Sequence, residues 1–314
     1  MSVTLRDAAT VLLVRDAQGR DSQGEDPHDE GVQGGVEVCM LRRNLASEFV
    51  AGAYVFPGGS VDPEDEGPAA QARCKGLTDE EASAILGVES GGLAYWVAAL
   101  RECFEEAGVL VARSGRDGGP ESDRLLDTTD PERARRFAAQ RQALNEGQID
   151  FLEICEREDL MLAADALHYV GHWITPELSP RRYDTRFFVT LAPPGQVASH
   201  DDGETIANIW ISPSGALARY DAGEIELLPP TVANLQRIAE FESAAEVIEW
   251  AQGVTDVPVV LPIVVIEDDR VLILRPGDAG YERALADRLA SGNEVDRGFE
   301  EAARSLWGSR AEPA

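Results

Sequence analysis

Lysine is almost missing from this chain of 314 residues. Lys75 is the only one, set against 57 acidic side chains, and the formal net charge is -29. So large a negative surplus repels a polyanion, which excludes a protein that coats nucleic acid through phosphate contacts. Cysteine is scarce as well: Cys39, Cys74, Cys103 and Cys155 lie far apart, without the close pairs that build a zinc site or a redox couple, and they read as reduced thiols. Long apolar runs are absent, since the stretch from Val257 to Ile266 is broken by Pro258 and Pro262 and falls far short of a bilayer span. Arg6, Asp7 and Asp16 flank the first apolar run, so no signal-peptide core with a cleavage site is expected, and the chain reads as soluble and cytoplasmic, without a membrane partner. No Gly-x-Ser-x-Gly elbow is present, which leaves no basis for Ser/His or Cys/His catalysis.

What is present is a mixed α/β pattern with 44% hydrophobic residues, enough for a substantial core. Ala8–Val14, Val36–Leu41 and the run ending at Ala53–Phe56 read as strands, with Asp16–Gly35 as a polar loop between the first two. Pro57 then ends the third strand, and Gly58-Gly59 predicts a sharp turn with positive φ. Leu93, Val97, Leu100, Phe104 and Ala107 recur at helical spacing and predict a helix over 93–107, stopped by Gly108 and followed by a strand at Val109–Val111. Residues 131–167 read as two helices parted near Gly147. Strands follow at 167–174, 183–191 and 205–211, helices at 212–220, 229–240 and 243–252, and then a hairpin of Val259–Ile266 with Val271–Leu274 before an acidic helix.

Chemistry concentrates on the 93–107 helix, in the string Arg101-Glu102-Cys103-Phe104-Glu105-Glu106-Ala107-Gly108-Val109. At helical pitch Glu102 and Glu106 share one face and Glu105 flanks them, while Arg101 sits one turn before Glu105 and is placed to orient the cluster. Like charges at this spacing destabilise a bare helix, so a hard divalent cation with oxygen ligands is the natural compensation. The alternative is a solvated acidic face, common in so acidic a chain. Against it, a random chain matches R-E-U-x-E-E-x-G-U (U apolar) with a probability on the order of one in a thousand or less.

That string, preceded by a strand ending in Phe56-Pro57-Gly58-Gly59, resembles the signature of the Nudix hydrolases, G-x5-E-x7-R-E-U-x-E-E-x-G-U. Its second half is complete. In its first half Gly59 would be the opening glycine, Asp65 stands where glutamate is expected, and an insertion within Ser60–Gly92 delays Arg101. An insertion at this point, together with His172-Trp173-Ile174-Thr175-Pro176, Arg181–Phe188 and the helical pair at 131–167, resembles the Nudix branch similar to peroxisomal coenzyme A diphosphatase. The resemblance implies an α/β/α sandwich with a mixed sheet, two insertions and a C-terminal extension. As domains, that is a Nudix unit over 1–255, with insertions near 60–92 and 114–166, and an extension over 256–314.

It also implies Mg2+- or Mn2+-dependent attack of water on a diphosphate linkage. Glu102, Glu105 and Glu106 would be metal ligands, the Gly59 carbonyl would complete the shell, and the choice of general base stays open. Coenzyme A or an acyl derivative is the implied small-molecule substrate, with ADP-ribose, NADH or a dinucleoside polyphosphate as the alternative, and a non-catalytic Nudix-fold binding module as the rival class. Glu204, in His200-Asp201-Asp202-Gly203-Glu204, is expected to approach the metals from a distant loop, although such a segment also reads as a polar turn. Arg42, Arg43, Arg181, Arg182 and Arg186 are basic exceptions that suit bidentate contacts to substrate phosphates or, equally, charge balance on a strand rim. Of these Arg186 lies opposite Phe187 by strand alternation, off one apolar face. The C-terminal hairpin is open to two roles, the edge of a homodimer or a cap over the active site.

Overall fold

Strand β1 (Leu5–Asp16) carries the run Ala8–Val14, apolar apart from Thr10, a pattern that fits a strand covered on both faces, and all of it but Thr10 is buried. The computed structural model describes residues 4–17, 35–44, 52–115, 123–176, 179, 181–201, 203–267 and 270–290. The polar loop expected over Asp16–Gly35 therefore lies largely outside the described residues. β1 pairs antiparallel with β2 (Val36–Arg43), which also pairs with β3 (Tyr54–Val55), and the first half of β1 pairs with β4 (Gly58–Ser60).

A short 3-10 turn at Pro63–Glu66 leads into α1 (Pro68–Ala72), β5 (Cys74–Lys75), α2 (Asp79–Leu86) and then α3 (Leu93–Ala107), which has the predicted bounds. Gly108 closes α3 with φ 68°, a left-handed cap whose N–H returns to the last turn. Next come β6 (Ala112–Ser114), α4 (Pro131–Asn145), α5 (Phe151–Arg157) and β7 (Leu160–Ala163), then β8 (His168–Ile174), β9 (Arg182–Leu191) and β10 (Thr205–Ile211). The chain continues through α6 (Pro213–Asp221), α7 (Pro229–Ile238) and α8 (Ala244–Gln252) to β11 (Val259–Val260), β12 (Ile263–Glu267), β13 (Arg270–Leu274) and α9 (Tyr281–Ala290).

The main sheet runs β10-β2-β1-β9-β8-β11; β1–β9 and β8–β11 are parallel and the other pairs antiparallel, so the sheet is mixed as expected. Alternate residues of β1 divide the core. Ala9, Val11 and Leu13 pack beneath α3 with Phe188, whereas Leu12 and Val14 pack with Phe187, Val189 and the apolar faces of α6, α7 and α8. The result is the α/β/α sandwich. A third cluster joins Ile174 of β8 to Val259, Leu261, Ile263, Tyr281 and Leu285. The two segments read as insertions meet in a small sheet, where β7 lies between β5 and β6. Among the described residues no helix is long and apolar enough to cross a membrane.

Three expectations are corrected. Val109–Val111 is not a strand, because the Gln196 side-chain amide takes both hydrogen-bonding groups of Leu110, at 2.8 Å each, in place of a ladder partner. The second of the paired helices stops at Arg157: Asp159 has φ 52°, which breaks the helix, and Leu160 and Leu162 become alternate buried positions of β7. Gly58 and Gly59 form a strand, and neither has positive φ.

Candidate functional site

The glycine pair serves close approach rather than turning. A Cβ on Gly58 would run into the Ala9 carbonyl and the Thr10 side chain, and one on Gly59 would collide with the Glu102 carboxylate. Without side chains there, α3 lies against β4, and the Gly58 N–H donates to Glu106 Oε2 at 2.9 Å. Arg101 ties the helix to the start of the first insertion. Its guanidinium forks onto Asp65, at 3.1 Å from Nε and 2.9 Å from Nη2, and donates to the Ser60 carbonyl at 2.9 Å. The remaining nitrogen reaches Glu102 Oε1 at 2.9 Å and Glu105 Oε2 at 3.1 Å. Asp65, only 3% exposed, thus occupies the position where the signature has glutamate and holds the box arginine despite the inserted residues between them.

The carboxylates crowd one another. Burial, with the charges of Glu105 and Glu204, pushes Glu102 up to about 7 against the pull of Arg101. Burial also raises Glu106 well above the carboxylate range, reinforced by the charges of Glu102 and Glu204 and opposed by the Gly58 N–H. Glu105 is raised as well, by burial against the pull of the Arg101 charge. Glu204 reaches this cluster because β2 and the loop before β10 are laced together: Asn44 N donates to the Glu204 carbonyl at 2.8 Å, and Asn44 Nδ2 to the Gly203 carbonyl at 2.9 Å. Its neighbour Asp201 is the turn former, accepting from Glu204 N at 3.0 Å and Thr205 N at 2.8 Å. Asp202 lies outside the described residues.

This donor set fits a hard divalent cation. It is all oxygen, its members repel one another, and the cradle beside Glu102 is one that a Cβ at Gly59 would fill. Among the described residues no group of three or more acidic, histidine or cysteine side chains is arranged to hold a metal ion by itself.

A cavity of 1380 Å³ opens beside the glutamates. Arg43, Arg101, Arg141 and Arg181 line it, and Arg42 and Arg186 do not. Alternation puts Arg186 off the Phe187 face as expected, but the opposite face is covered by α3. Arg186 is 1% exposed, ion-paired with Asp184, in contact with His172 and stacked 5.2 Å from the Tyr95 ring centroid. Burial would raise Asp184, yet the hydrogen bond from His172 and the Arg186 charge hold it low. This cluster is part of the interior rather than a phosphate contact. The thiol of Cys103 is buried and its pKa raised by that burial, which makes it a core side chain rather than a nucleophile.

Arg141, on α4, escapes sequence reasoning. It caps the end of α3, donating to the carbonyls of Glu105 at 2.9 Å and Glu106 at 2.8 Å and to Ser199 Oγ at 2.9 Å. A cation at a helix C-terminus satisfies orphan carbonyls and complements the dipole. Here it also fixes the backbone that carries two of the glutamates. Arg141→Ala is expected to lower stability by about 2 kcal/mol, as loss of charged hydrogen bonds does. A fall in kcat of about 10- to 100-fold, the range for losing support behind a ligand, should accompany it. Urea unfolding and steady-state kinetics check both, and an unchanged kcat would confine Arg141 to folding.

The family model of the NUDT19 Nudix domain matches residues 77–238. Acyl-coenzyme A diphosphatase NUDT19 of Gallus gallus is 30% identical over 311 residues, covering 88% of this chain and 79% of that protein. Its namesake in Homo sapiens is 28% identical over 304 residues, with 88% and 80% coverage. Among solved structures, a NUDIX hydrolase from Alicyclobacillus acidocaldarius superposes with a TM-score of 0.57 at 25% identity, covering 79% of this chain and 96% of that one. A box arginine held by Asp65, three glutamates against a glycine strand and these matches converge on one family, and the chain belongs to the Nudix hydrolases of the NUDT19 type.

Proposed function

We propose that this Nudix hydrolase cleaves the diphosphate linkage of coenzyme A and its acyl derivatives, with Mg2+ or Mn2+ as the cation. The observation that carries the reading is the position of an all-oxygen carboxylate cluster at one end of a cavity far larger than the cluster needs. Glu102, Glu105 and Glu106, with the Gly59 carbonyl, would hold the cation, and Glu204 would approach it from the loop before β10. Bound there, it would neutralise charge on the diphosphate oxygens and supply an acidified water. The chain's own residues do the rest. Arg101 fixes the Glu102 and Glu105 carboxylates, the Gly58 N–H fixes Glu106, and Arg141 fixes the helix end beneath them. Arg43 and Arg181 line the cavity, where a guanidinium can take phosphate oxygens pairwise. In a chain of net charge -29 these few arginines are also what admits a polyanionic substrate.

A panel of coenzyme A, acyl-coenzyme A, ADP-ribose, NADH and dinucleoside polyphosphates, with Mg2+ or Mn2+ and products identified by mass spectrometry, tests the reading. The expected products are adenosine 3',5'-bisphosphate and the phosphopantetheine half, formed with either cation and abolished by a chelator. Cleavage of ADP-ribose or NADH with coenzyme A untouched would overturn the assignment of substrate.

A further inference from the structure

The sheet register lays out the floor of the cavity. Ser60, Ala8, Thr185 and Trp173 lie in one row across β4, β1, β9 and β8, all four line the cavity, and the next residue in the row is Val260 of β11. Four strand spacings separate Ser60 from Val260, about 19 Å. The two ends of this row differ in chemistry. At the β4 end stand Arg101 and the glutamates. Toward the β11 end a run of apolar residues lines it, Trp173 and Ile174 from β8, Pro229 at the start of α7, and Pro262 and Ile273 from the C-terminal segment, with the polar Thr175, Arg181 and Tyr183 where β8 ends and β9 begins. Ile273 is 53% exposed, a large apolar side chain facing open cavity on a short hairpin.

That wall is built into the fold. Val259, Leu261 and Ile263 pack with Ile174, Tyr281 and Leu285, and the Tyr281 hydroxyl donates to the Leu261 carbonyl at 2.9 Å. The side chains of Ile174, Pro262 and Ile273 offer nothing to a second ribose or nucleobase, whose polar edges would be left unpaired there. At 1380 Å³ the cavity also exceeds the room a drug-sized ligand fills, so space remains beyond a nucleotide diphosphate.

From this juxtaposition we propose that the C-terminal hairpin is the substrate-selecting wall of the active site: the apolar acyl end of an acyl-pantetheine arm lies across Trp173 and against Pro262 and Ile273. The inference rests on the substrate reading above and adds which residues choose among acyl chains. Ile273→Asp, in the full-length protein, places a carboxylate on that wall. Leu272→Asp makes the same change on the neighbouring residue, which points to the other face of β13, is 40% exposed and does not line the cavity.

The readout is the ratio of kcat/KM for a medium-chain acyl-coenzyme A to that for free coenzyme A. Ile273→Asp should lower this ratio about tenfold, the usual scale of discrimination by an apolar pocket contact, and Leu272→Asp should leave it at the wild-type value. A ratio unmoved by Ile273→Asp, or moved equally by both, overturns the selecting role while the substrate reading stands. A wild-type protein that cleaves no coenzyme A derivative overturns both.

Discussion

Glu106→Gln is expected to lower kcat by about 10²- to 10⁴-fold, the range for removing a group that handles charge or a proton at the reacting centre, without lowering stability. Both halves of the expectation come from the same geometry. The Glu106 carboxylate is buried and accepts the Gly58 N–H, and a glutamine oxygen can accept the same bond, so β4 keeps its contact with α3. The charge, by contrast, is stabilised by little in the cation-free protein: burial and the charges of Glu102 and Glu204 all disfavour it. Removing it relieves an electrostatic cost that only a bound cation would otherwise offset. The variant should therefore melt at or above the wild-type temperature in a chelator while losing turnover, and its stabilisation by added Mg2+ should shrink. A variant that loses stability and keeps turnover would make Glu106 a structural acid.

Much of this was legible in the sequence, for local reasons. Helix α3 announces itself because its apolar spacing, its left-handed glycine cap and its glutamates all fall within a few turns of one helix, and the structure gives it the predicted bounds. What could not be read is long-range. Arg141 reaches the carbonyls of Glu105 and Glu106 from 36 and 35 residues away and, within the polar helix α4, looks like any solvated arginine. Alternation sorted Arg186 onto one face of β9, but which element covers that face depends on where α3 docks, and α3 brings Tyr95 over it. Gly58-Gly59 signals a turn to a reader of dipeptides, whereas its reason is close approach, with β1 at Ala9 and Thr10 lying where a Gly58 Cβ would be and the Glu102 carboxylate where a Gly59 Cβ would be. The stretch after Arg157 fits helix and strand alike, since Leu160, Ala163, Ala164 and Leu167 recur at helical spacing while Leu160 and Leu162 alternate as in a strand; pairing with β5 and β6, remote in sequence, decides it.

Arg101→Met should cost about 3–5 kcal/mol of stability, the scale for removing one partner of a buried ion pair, and should abolish measurable turnover as well. The effect is large because one guanidinium serves several acceptors: Asp65 through a fork, the Ser60 carbonyl, Glu102 and Glu105. Methionine matches the volume but leaves Asp65 buried and uncompensated and frees Glu102 and Glu105 to repel each other. Arg101→Lys should fall between, since an ammonium keeps the charge but cannot form the fork onto Asp65 while reaching two glutamates. Asp65→Asn isolates the structural share: it keeps acceptor and donor atoms near Arg101, whose charge remains matched by Glu102 and Glu105. Its stability loss should accordingly be smaller than that of Arg101→Met, with kcat lowered through the looser arginine. Chemical denaturation of the three variants, with kinetics on each that folds, orders them. Equal losses for Arg101→Met and Asp65→Asn would show that the arginine acts only through Asp65, and that Glu102 and Glu105 are positioned without it.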